Sequence, residues 1–253
     1  MKRWESYSWP LLAAAGCLTA WYFAVARTHT AIFPSPIDVE HGLVELVREG
    51  LLWRDIGDSL FRVGVGYGLG VLLGVPLGVL LGWYPTSAVT VNPVIQMLRP
   101  ISPLAWIPLA IVWFGISSFS AIFLIFLGSF FPIVVSTMSG VRNVPEMFRR
   151  AGLNFGLSPA GLLRRVVFPA ALPQIVVGLR ISLGIAWLVV VAAEMIAVDS
   201  GLGYLIIDSR NAGKRYDLVV AGMLLIGIIG FCLDSGIRRL EKVKSVRWGF
   251  RYE

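Results

Sequence analysis

Arg99 and Ser102 are the two residues of this sequence whose types and spacing best suit the binding of a ligand. They accompany Pro100 and Pro103 in a segment that interrupts an otherwise apolar stretch. Because proline supplies no backbone N–H, a helix through this segment would be broken or kinked. An arginine beside unwound backbone and a serine hydroxyl can attract an anion by charge and by N–H donation. The alternative is a structural cation at the inner membrane interface, and the residues alone leave both interpretations open.

Trp106 and Glu194 are further candidates for a ligand pathway through an apolar interior. Glu194 lies in the later part of a long apolar run, where a charge is expensive and has to face protein, water or a helix end. It either pairs with an internal cation or repels anions until a gate opens. Trp106 can line a path, although such aromatic residues more often anchor or pack a helix. The hypothetical pathway therefore comprises Arg99, Ser102, Trp106 and Glu194.

No arrangement of residues predicts covalent chemistry or a metal site. The histidines, His29 and His41, are isolated, and Cys17 and Cys232 lie within apolar runs, where cysteine serves as a small hydrophobic residue. The sequence contains no Walker A pattern, so any ATP hydrolysis has to come from another chain. We therefore expect a protein that is not an enzyme and holds no metal or cofactor of its own.

The elements that carry these residues are predicted to be membrane helices. The chain of 253 residues is 57% hydrophobic and 15% charged, with a mean hydropathy of +0.76, whereas a soluble domain has about 25% charged residues. The net charge of +7 does not predict nucleic-acid binding, because the basic residues lie in short flanks between apolar runs. The composition predicts an all-α polytopic membrane protein with lipid around it.

Six apolar runs are long enough to cross a bilayer, which takes about 20 residues. We predict a single transmembrane domain over residues 1–253, and we expect its first apolar run to be a retained helix rather than a cleaved signal peptide. On the second run, glycines at four-residue spacing from Gly66 to Gly82 predict a face for close helix packing. The predicted spans are about 9–26, 59–83, 93–114, 119–140, 172–198 and 218–237, with a polar segment at 27–58 and a short amphipathic helix within 199–217.

The distribution of lysine and arginine predicts the orientation of these spans. The N-terminal flank carries two, segment 142–165 five and the C-terminal tail six, whereas segments 27–54 and 210–215 carry three each. Cytoplasmic flanks are the ones enriched in lysine and arginine. We therefore expect both termini and segment 142–165 in the cytoplasm, and segment 27–58 in the periplasm.

The longest polar interruption late in the chain, Arg142–Pro173, has the pattern of two short helices joined at a glycine. Asn143 and Glu146 are spaced as a capping box, which would begin the first helix. Gly156 suits the left-handed residue that ends such a helix.

The second short helix of this stretch would begin at Ser158 and Pro159, an N-cap followed by a first-turn proline. Pro169 and Pro173 would end it. Apolar residues recur at helical spacing on both helices. A pair of helices outside the bilayer with an apolar face of its own is predicted to bind a protein partner.

This stretch resembles the EAA loop of ABC importer permeases, whose pattern is E-A-A, three residues, G, nine residues and I-x-L-P. Residues 150–152, Gly156 and residues 166–169 match this spacing, although Arg150 replaces the family's glutamate, Gly152 an alanine and Phe168 a leucine. Segments 98–116, 192–196 (AAEMI) and 200–206 (SGLGYLI) resemble permeases of nitrate, sulfonate, taurine and bicarbonate importers. The similarity extends from about residue 33 to residue 248.

The resemblance implies the type I ABC importer permease fold (MetI-like) in a multi-pass protein of the bacterial inner membrane. It also implies a homodimer of permease chains around a shared path, a cytoplasmic ABC ATPase dimer that binds ATP and Mg, and a periplasmic or lipid-anchored substrate-binding protein. The coupling loop would span residues 142–171. The residues expected to contact the ATPase are Met147, Phe148, Arg149, Arg150, Ala151, Gly152, Phe155, Gly156, Leu162 and Pro169.

Two alternatives and the substrate stay open at the level of the sequence. The first alternative is a secondary transporter or channel that acts without an ATPase, and the second is a membrane scaffold without a path. The segment PISPLAW resembles nitrate and bicarbonate permeases, whereas IVWFGI and residues 201–204 resemble sulfonate and taurine permeases. The resemblance therefore implies a small anion without deciding which one.

Overall fold

The computed structural model describes residues 5–28 and 33–241, and within these ranges the secondary structure is helical throughout. This confirms the all-α prediction, whereas His29 and most of the predicted basic tail lie outside the described residues. A single 3₁₀ turn, Pro103–Trp106, precedes α5, and one π-helical turn, Leu163–Val167, joins α8 to α9. The helices are α1 (Glu5–Thr28), α2 (Pro36–Arg48), α3 (Leu51–Trp83), α4 (Pro85–Leu98), α5 (Ile107–Phe114), α6 (Ser118–Arg142), α7 (Glu146–Asn154), α8 (Pro159–Leu162), α9 (Phe168–Ala197), α10 (Leu202–Gly213) and α11 (Tyr216–Glu241).

Four helical segments among the described residues are long and apolar enough to cross a membrane. They are α3, α6, the continuous segment Pro159–Ala197, and α11 up to Arg239. The pieces Val89–Leu98 and Pro103–Phe114 are bent by 82° relative to each other and form either one broken span, which would be the fifth, or a re-entrant loop. The first predicted span falls within α1, a helix of 24 residues, and its crossing of the membrane stays a prediction.

The third predicted span is broken, as its prolines indicated, but it begins earlier than predicted. Helix α4 starts at Pro85 and not at about residue 93. Pro85 lies in the first turn of the helix, where the N–H that proline lacks would have no partner within the helix. Pro93 is accommodated inside α4, whereas the chain leaves the α-helix after Leu98.

The second predicted span also begins too late, because α3 starts at Leu51 and not at about residue 59. The charged residues of its first two turns indicated a loop. Asp55 and Ser59, however, are buried among neighbouring elements, and Leu52 is buried on the same side. The polar start of α3 therefore belongs to the packed interior of the protein.

Helix α3 packs closely along α6 through the glycines that recur every fourth residue, which confirms the predicted packing face. A Cβ atom on Gly78 would lie 2.6 Å from the Cβ of Thr137, and one on Gly82 would lie 2.6 Å from the Cβ of Val141. Such distances are shorter than carbon atoms tolerate, so the two backbones approach this closely only because the side chains are absent.

Pro169 and Pro173 do not end a helix, contrary to the prediction. Pro169 lies in the first turn of α9, directly after the π-helical turn, and Pro173 lies inside α9. The buried neighbours Ala171 and Ile175 belong to the same apolar cluster as Val141 of α6. This tertiary packing continues the helix through both prolines, so α9 begins at Phe168 and not at about residue 172.

Helix α2 lies within the predicted polar segment 27–58 and packs against α3 and α11. Ser35 and Asp38 form a capping box at its start, and the hydrogen bonds from Ser35 lower the pKa of Asp38. Arg215, between α10 and α11, donates to both carboxylate oxygens of Glu45, at 3.1 and 2.6 Å. These bonds lower the pKa of the Glu45 carboxyl and raise that of Arg215.

Candidate functional site

A cavity of about 330 Å³ opens at the break between α4 and α5. The break follows from the sequence, since the 3₁₀ turn begins at Pro103 and Ser102 caps it by accepting a hydrogen bond from the N–H of Leu104. Arg99 ends α4 at one side of the break, and Trp106 ends the 3₁₀ turn at the other. Residues 99–103 and Trp106 form one wall, Leu127, Gly128, Phe131, Pro132, Val135 and Ser136 of α6 form the second, and Ile181 and Ile185 of α9 form the third.

The predicted pathway residues Arg99, Ser102 and Trp106 all line this cavity. Of the described residues that line it, Arg99 alone carries a charge. Within residues 5–28 and 33–241 its guanidinium has no hydrogen-bond or ion-pair partner. Arg99 is exposed, so its guanidinium is open to an anion from outside the chain.

Ser136 lines the same cavity and was not among the predicted residues. The sequence could have indicated that Ser136 lines the cavity, because it follows Pro132 by one helical turn in a predicted span. A proline and a serine at this spacing fall on one helix face. The partner face on α9 has no such signal, because Ile181 and Ile185 are ordinary residues of a membrane helix.

Glu194 does not line the cavity but lies in a buried network of hydrogen bonds with Arg62. The Arg62 guanidinium donates to Glu194 Oε1 at 2.8 Å, and the two side chains are 3% and 0% exposed. The other carboxylate oxygen accepts from the Ser59 hydroxyl at 2.8 Å and from the backbone N–H of Gly203 at 3.0 Å. Of the two roles considered for Glu194, the structure therefore shows the internal pair.

The same arginine ties three further parts of the chain together. It donates to the Ser200 carbonyl at 2.8 Å, to the Ser200 hydroxyl at 2.6 Å and to the Ser118 hydroxyl at 3.1 Å. Asp55 accepts from the N–H of Gly201 at 3.1 Å. Arg62 thus joins α3, the start of α6, the end of α9 and the turn before α10 in one buried network.

Gly201 and Gly203 allow the turn before α10 to reach the ion pair. Gly201 has a φ of +103°, and a Cβ atom there would lie 2.7 Å from a nitrogen of Arg62. A Cβ atom on Gly203 would lie 2.8 Å from the Cβ of Glu194. The segments AAEMI and SGLGYLI, which are separate in the sequence, therefore meet at Arg62.

Gly156, between α7 and α8, has the left-handed backbone conformation that was predicted for it. Gly156 has a φ of +74°, and its N–H and that of Leu157 donate back to the end of α7. Ser158 caps α8 by accepting from the N–H of Gly161, as predicted. We call α7, the turn 155–158 and α8 together the α7–α8 knob (residues 146–162).

The predicted capping box at the start of α7 is wrong. Asn143 directly follows α6 as its C-cap, and α7 begins at Glu146 after Pro145, without a side-chain cap. Helix α6 runs on to Arg142 because Val141 packs into a buried cluster with Leu162. Glu146 instead pairs with Arg150 at 3.2 Å on the surface of α7.

Several of the predicted coupling residues are exposed on the α7–α8 knob, whereas others hold it in place. Met147 and Phe155 are exposed, the latter by 87%, and Phe148 is exposed to a lesser degree. Gly152 and Leu162 are buried against each other. The exposed members of the predicted set are thus available to a partner, while the buried ones join α7 to α8. Arg150 and Ala151 are exposed as well, and Pro169 is half-buried.

Arg149 faces the membrane helices. Its guanidinium donates to the carbonyl of Val141 at 2.7 Å, and it lies 6.0 Å from the ring centroid of Trp83 at the end of α3. The hydrogen bond satisfies a carbonyl in the last turn of α6, and the ring contact is a cation–π geometry. Arg149 therefore fixes α7 to the ends of α3 and α6.

These features define a membrane-embedded transport subunit: a bundle of spanning helices with a cavity at a helix break and a helical knob at one end. The chain belongs to the family described as the binding-protein-dependent transport system inner membrane component, whose family model matches residues 70–245. It is accordingly the permease subunit of an ABC transporter, a multi-pass inner-membrane protein without catalytic activity. ATP is hydrolysed by the partner ATPase, and the family implies a binding protein as a further partner.

Curated relatives agree with this assignment, and a solved structure shares the fold. The chain is 46% identical over 184 residues to a putative ABC transporter permease protein of Methanocaldococcus jannaschii, covering 72% of this chain and 68% of that protein. It is 36% identical to the taurine transport system permease protein of Escherichia coli strain K12 (95% and 93% covered) and 34% identical to the bicarbonate transport system permease protein of Synechocystis (93% and 83%). A solved structure of the inward-facing MetNI methionine ABC transporter contains a chain of the same fold. The TM-score is 0.67 at 22% identity, and the match covers 79% of this chain and 97% of that chain.

Proposed function

We propose that this protein is the permease of an ATP-driven importer for a small organic or inorganic anion. The proposal rests on the position of Arg99, which lines the cavity at the helix break and has no hydrogen-bond or ion-pair partner among the described residues. Related permeases are named for taurine and for bicarbonate, both of which carry a negative charge. An anion that enters the cavity would neutralise Arg99, and Ser102 and Ser136 would supply further hydrogen bonds.

The α7–α8 knob is proposed as the docking site of the cytoplasmic ATPase. Met147, Phe148 and Phe155 offer apolar side chains to a groove on that partner, since they are exposed although they belong to a rigid pair of helices. Arg149 would pass a movement of the docked knob to α3 and α6, which it contacts. In this arrangement ATP binding closes the ATPases and turns the path from one side to the other, and hydrolysis resets it.

The assembly is proposed to contain two copies of this chain around a shared path, with both termini in the cytoplasm. The excess of lysine and arginine in segment 142–165 and in the tail supports this orientation. A periplasmic or lipid-anchored binding protein would then deliver the anion at the end formed by α2 and the turn before α10. Reporter fusions after Arg150 and Glu49 are expected to read as cytoplasmic and periplasmic, respectively, and the reverse would contradict the orientation.

Reconstitution in lipid vesicles tests the function itself. The permease is assembled with its ATPase and its binding protein, and uptake of labelled taurine, an alkanesulfonate, nitrate and bicarbonate is measured. We expect uptake of at least one anion that requires ATP, the ATPase and the binding protein together. Uptake that persists when the ATPase is omitted would indicate a secondary transporter or channel and would contradict the proposal.

A further inference from the structure

We propose that the hydrogen bonds around Arg62 form a releasable contact that makes ATP hydrolysis by the partner ATPase depend on the binding protein. The inference rests on the proposed function, because it assumes that the binding protein docks at the end formed by α2 and the turn before α10. We call this contact the Arg62 network, and its members are Asp55, Ser59, Arg62, Ser118, Glu194, Ser200, Gly201, Leu202 and Gly203.

The Arg62 network lies between two pairs of helices, each of which is held together by close backbone packing. A Cβ atom on Gly66 would lie 2.8 Å from the carbonyl oxygen of Ile122, so α3 and α6 approach closely at this end as well. A Cβ atom on Gly203 would collide with the carbonyl oxygen of Val191, so α10 lies directly against α9. Closely packed elements have little freedom relative to each other. We therefore expect α3 with α6, and α9 with α10, to move as two units.

The contacts of the Arg62 network between these two units are polar. Asp55, Ser59 and Arg62 are spaced so that they share one face of α3. Arg62 and Ser59 both bond to Glu194, and Ser59 also accepts from the N–H of Leu202 at 3.0 Å. A buried ion pair contributes little net stability, and its best-attested uses are to fix a register or to form a switch. Water can replace such bonds when the units part, whereas an apolar contact would lose its burial.

The network also ties together two helices that form walls of the cavity. Along α6, the buried apolar residues Ala121 and Leu124 lie between Ser118 of the network and Leu127 of the cavity. Along α9, residues 186–193 contribute to the same apolar cluster and separate the cavity from Glu194. Arg62 bonds to both far ends, at Ser118 and at Glu194. Release of the network therefore frees the ends of two cavity walls.

One continuous helical segment, Pro159–Ala197, links the Arg62 network to the α7–α8 knob. Glu194 lies near one end of this segment, and α8 of the knob forms the other. Its 39 residues extend about 58 Å at 1.5 Å per residue, and a packed helix of this kind can carry coupling between distant sites. A binding protein that draws the turn before α10 away from α3 would move this segment and the ATPase docked on the knob. Without binding protein, the intact network holds the segment in place and hydrolysis stays slow.

ATP hydrolysis by the permease–ATPase complex in nanodiscs tests this inference. It is measured with and without the binding protein, in the presence of taurine, ethanesulfonate, nitrate and bicarbonate. Ser200→Ala removes a hydroxyl that accepts from Arg62 at 2.6 Å, and Ser59→Ala removes the one that bonds to Glu194. Each variant is expected to raise hydrolysis without binding protein at least about fivefold, since a hydrogen bond to a charged group that only one state contains shifts the equilibrium by about tenfold.

Ser182→Ala is the matched control, because Ser182 is a buried serine of α9 whose hydroxyl donates to the carbonyl of Leu179 in the same helix. It is expected to leave hydrolysis unchanged. A network that only stabilises the fold would give no rise in hydrolysis without binding protein. Unchanged or lower hydrolysis per assembled complex in both Ser200→Ala and Ser59→Ala, or loss of the complex itself, would overturn the inference. Wild-type uptake that still requires ATP, the ATPase and the binding protein would then show that only this inference has failed, and not the proposed function.

Discussion

The ion pair of Arg62 and Glu194 yields a quantitative prediction about stability. Replacing Glu194 by glutamine removes the negative charge but keeps an oxygen that can accept from Ser59 or Gly203, which now donate to the carboxylate. The Arg62 guanidinium would then lose the carboxylate to which it is hydrogen-bonded, and its remaining acceptors would be the hydroxyl and carbonyl groups of serines.

The expected loss follows from the burial of both side chains, which are 3% and 0% exposed. Breaking a buried pair by removing one partner costs about 3–5 kcal/mol. We expect the loss for Glu194→Gln to fall within this range, since its one oxygen replaces only one of the two accepting carboxylate oxygens, and its NH₂ group would face a donor. Replacing both residues by methionine is expected to cost less than the sum of the two single methionine variants, because no buried charge is left over.

The assay is the free energy of unfolding of the purified permease in bicelles, measured for the single variants and the double variant. Arg150→Gln is the matched control, because its partner Glu146 is an exposed i,i+4 neighbour on α7, and such pairs contribute about 0.3–0.5 kcal/mol. A Glu194→Gln variant within about 1 kcal/mol of the wild type would refute the reasoning, because breaking a buried pair costs at least about 3 kcal/mol. Additive losses in the double variant would show that the two residues are not coupled.

Three further predictions concern the packing of α3, the α7–α8 knob and the opposite end of the protein. Gly78→Leu, whose side chain would collide with Thr137, is expected to destabilise the protein by at least about 1–3 kcal/mol in the same unfolding assay, and an unchanged stability would contradict the close approach of α3 and α6. Valine at position 156 would be strained by about 1–3 kcal/mol, because the backbone has a positive φ there. Gly156→Val is therefore expected to leave a membrane-inserted permease that no longer retains or stimulates the ATPase, and Gly156→Asn is expected to have a milder effect. A valine variant that couples normally to the ATPase would refute this. Because Arg215 lowers the pKa of Glu45, the contact between the two side chains should persist at every pH above the ordinary pKa of the carboxyl and should be lost as the pH falls below about 4. Crosslinking of α2 to the start of α11 measures this contact. Crosslinking that weakens already near pH 7 would contradict the prediction.

Features that depend on local backbone chemistry were predictable from the sequence. The break beside Arg99 follows from prolines that remove backbone donors, and the left-handed turn at Gly156 follows from a glycine between two capped helices. The packing face of α3 was also predictable, because a glycine at every fourth position lets a neighbouring helix approach closely. In each case a single short segment contains the whole signal.

Features that depend on tertiary contacts were not predictable in this way. The pairing of Arg62 with Glu194 joins residues 132 positions apart, and Glu194 alone indicated only a costly charge in the membrane. The prolines at 169 and 173 indicated a helix end, but packing against α6 overrides that local preference. Asn143 had the right spacing for an N-cap, whereas the burial of Val141 keeps α6 helical up to Arg142, so that Asn143 is the C-cap of α6 instead.

The central claim is that an anion crosses this permease through the cavity at Arg99 under the control of an ATPase docked elsewhere. The most direct test is ATP-driven uptake into vesicles by the Arg99→Gln and Arg99→Lys variants, with ATPase retention measured on the same preparations. We expect Arg99→Gln to retain the ATPase but to lower uptake at least tenfold, since charge-assisted hydrogen bonds are about twice as strong as neutral ones. Arg99→Lys, which keeps the charge, is expected to restore part of the uptake. Wild-type uptake by Arg99→Gln at normal expression would contradict the claim and make Arg99 a structural residue at the membrane interface.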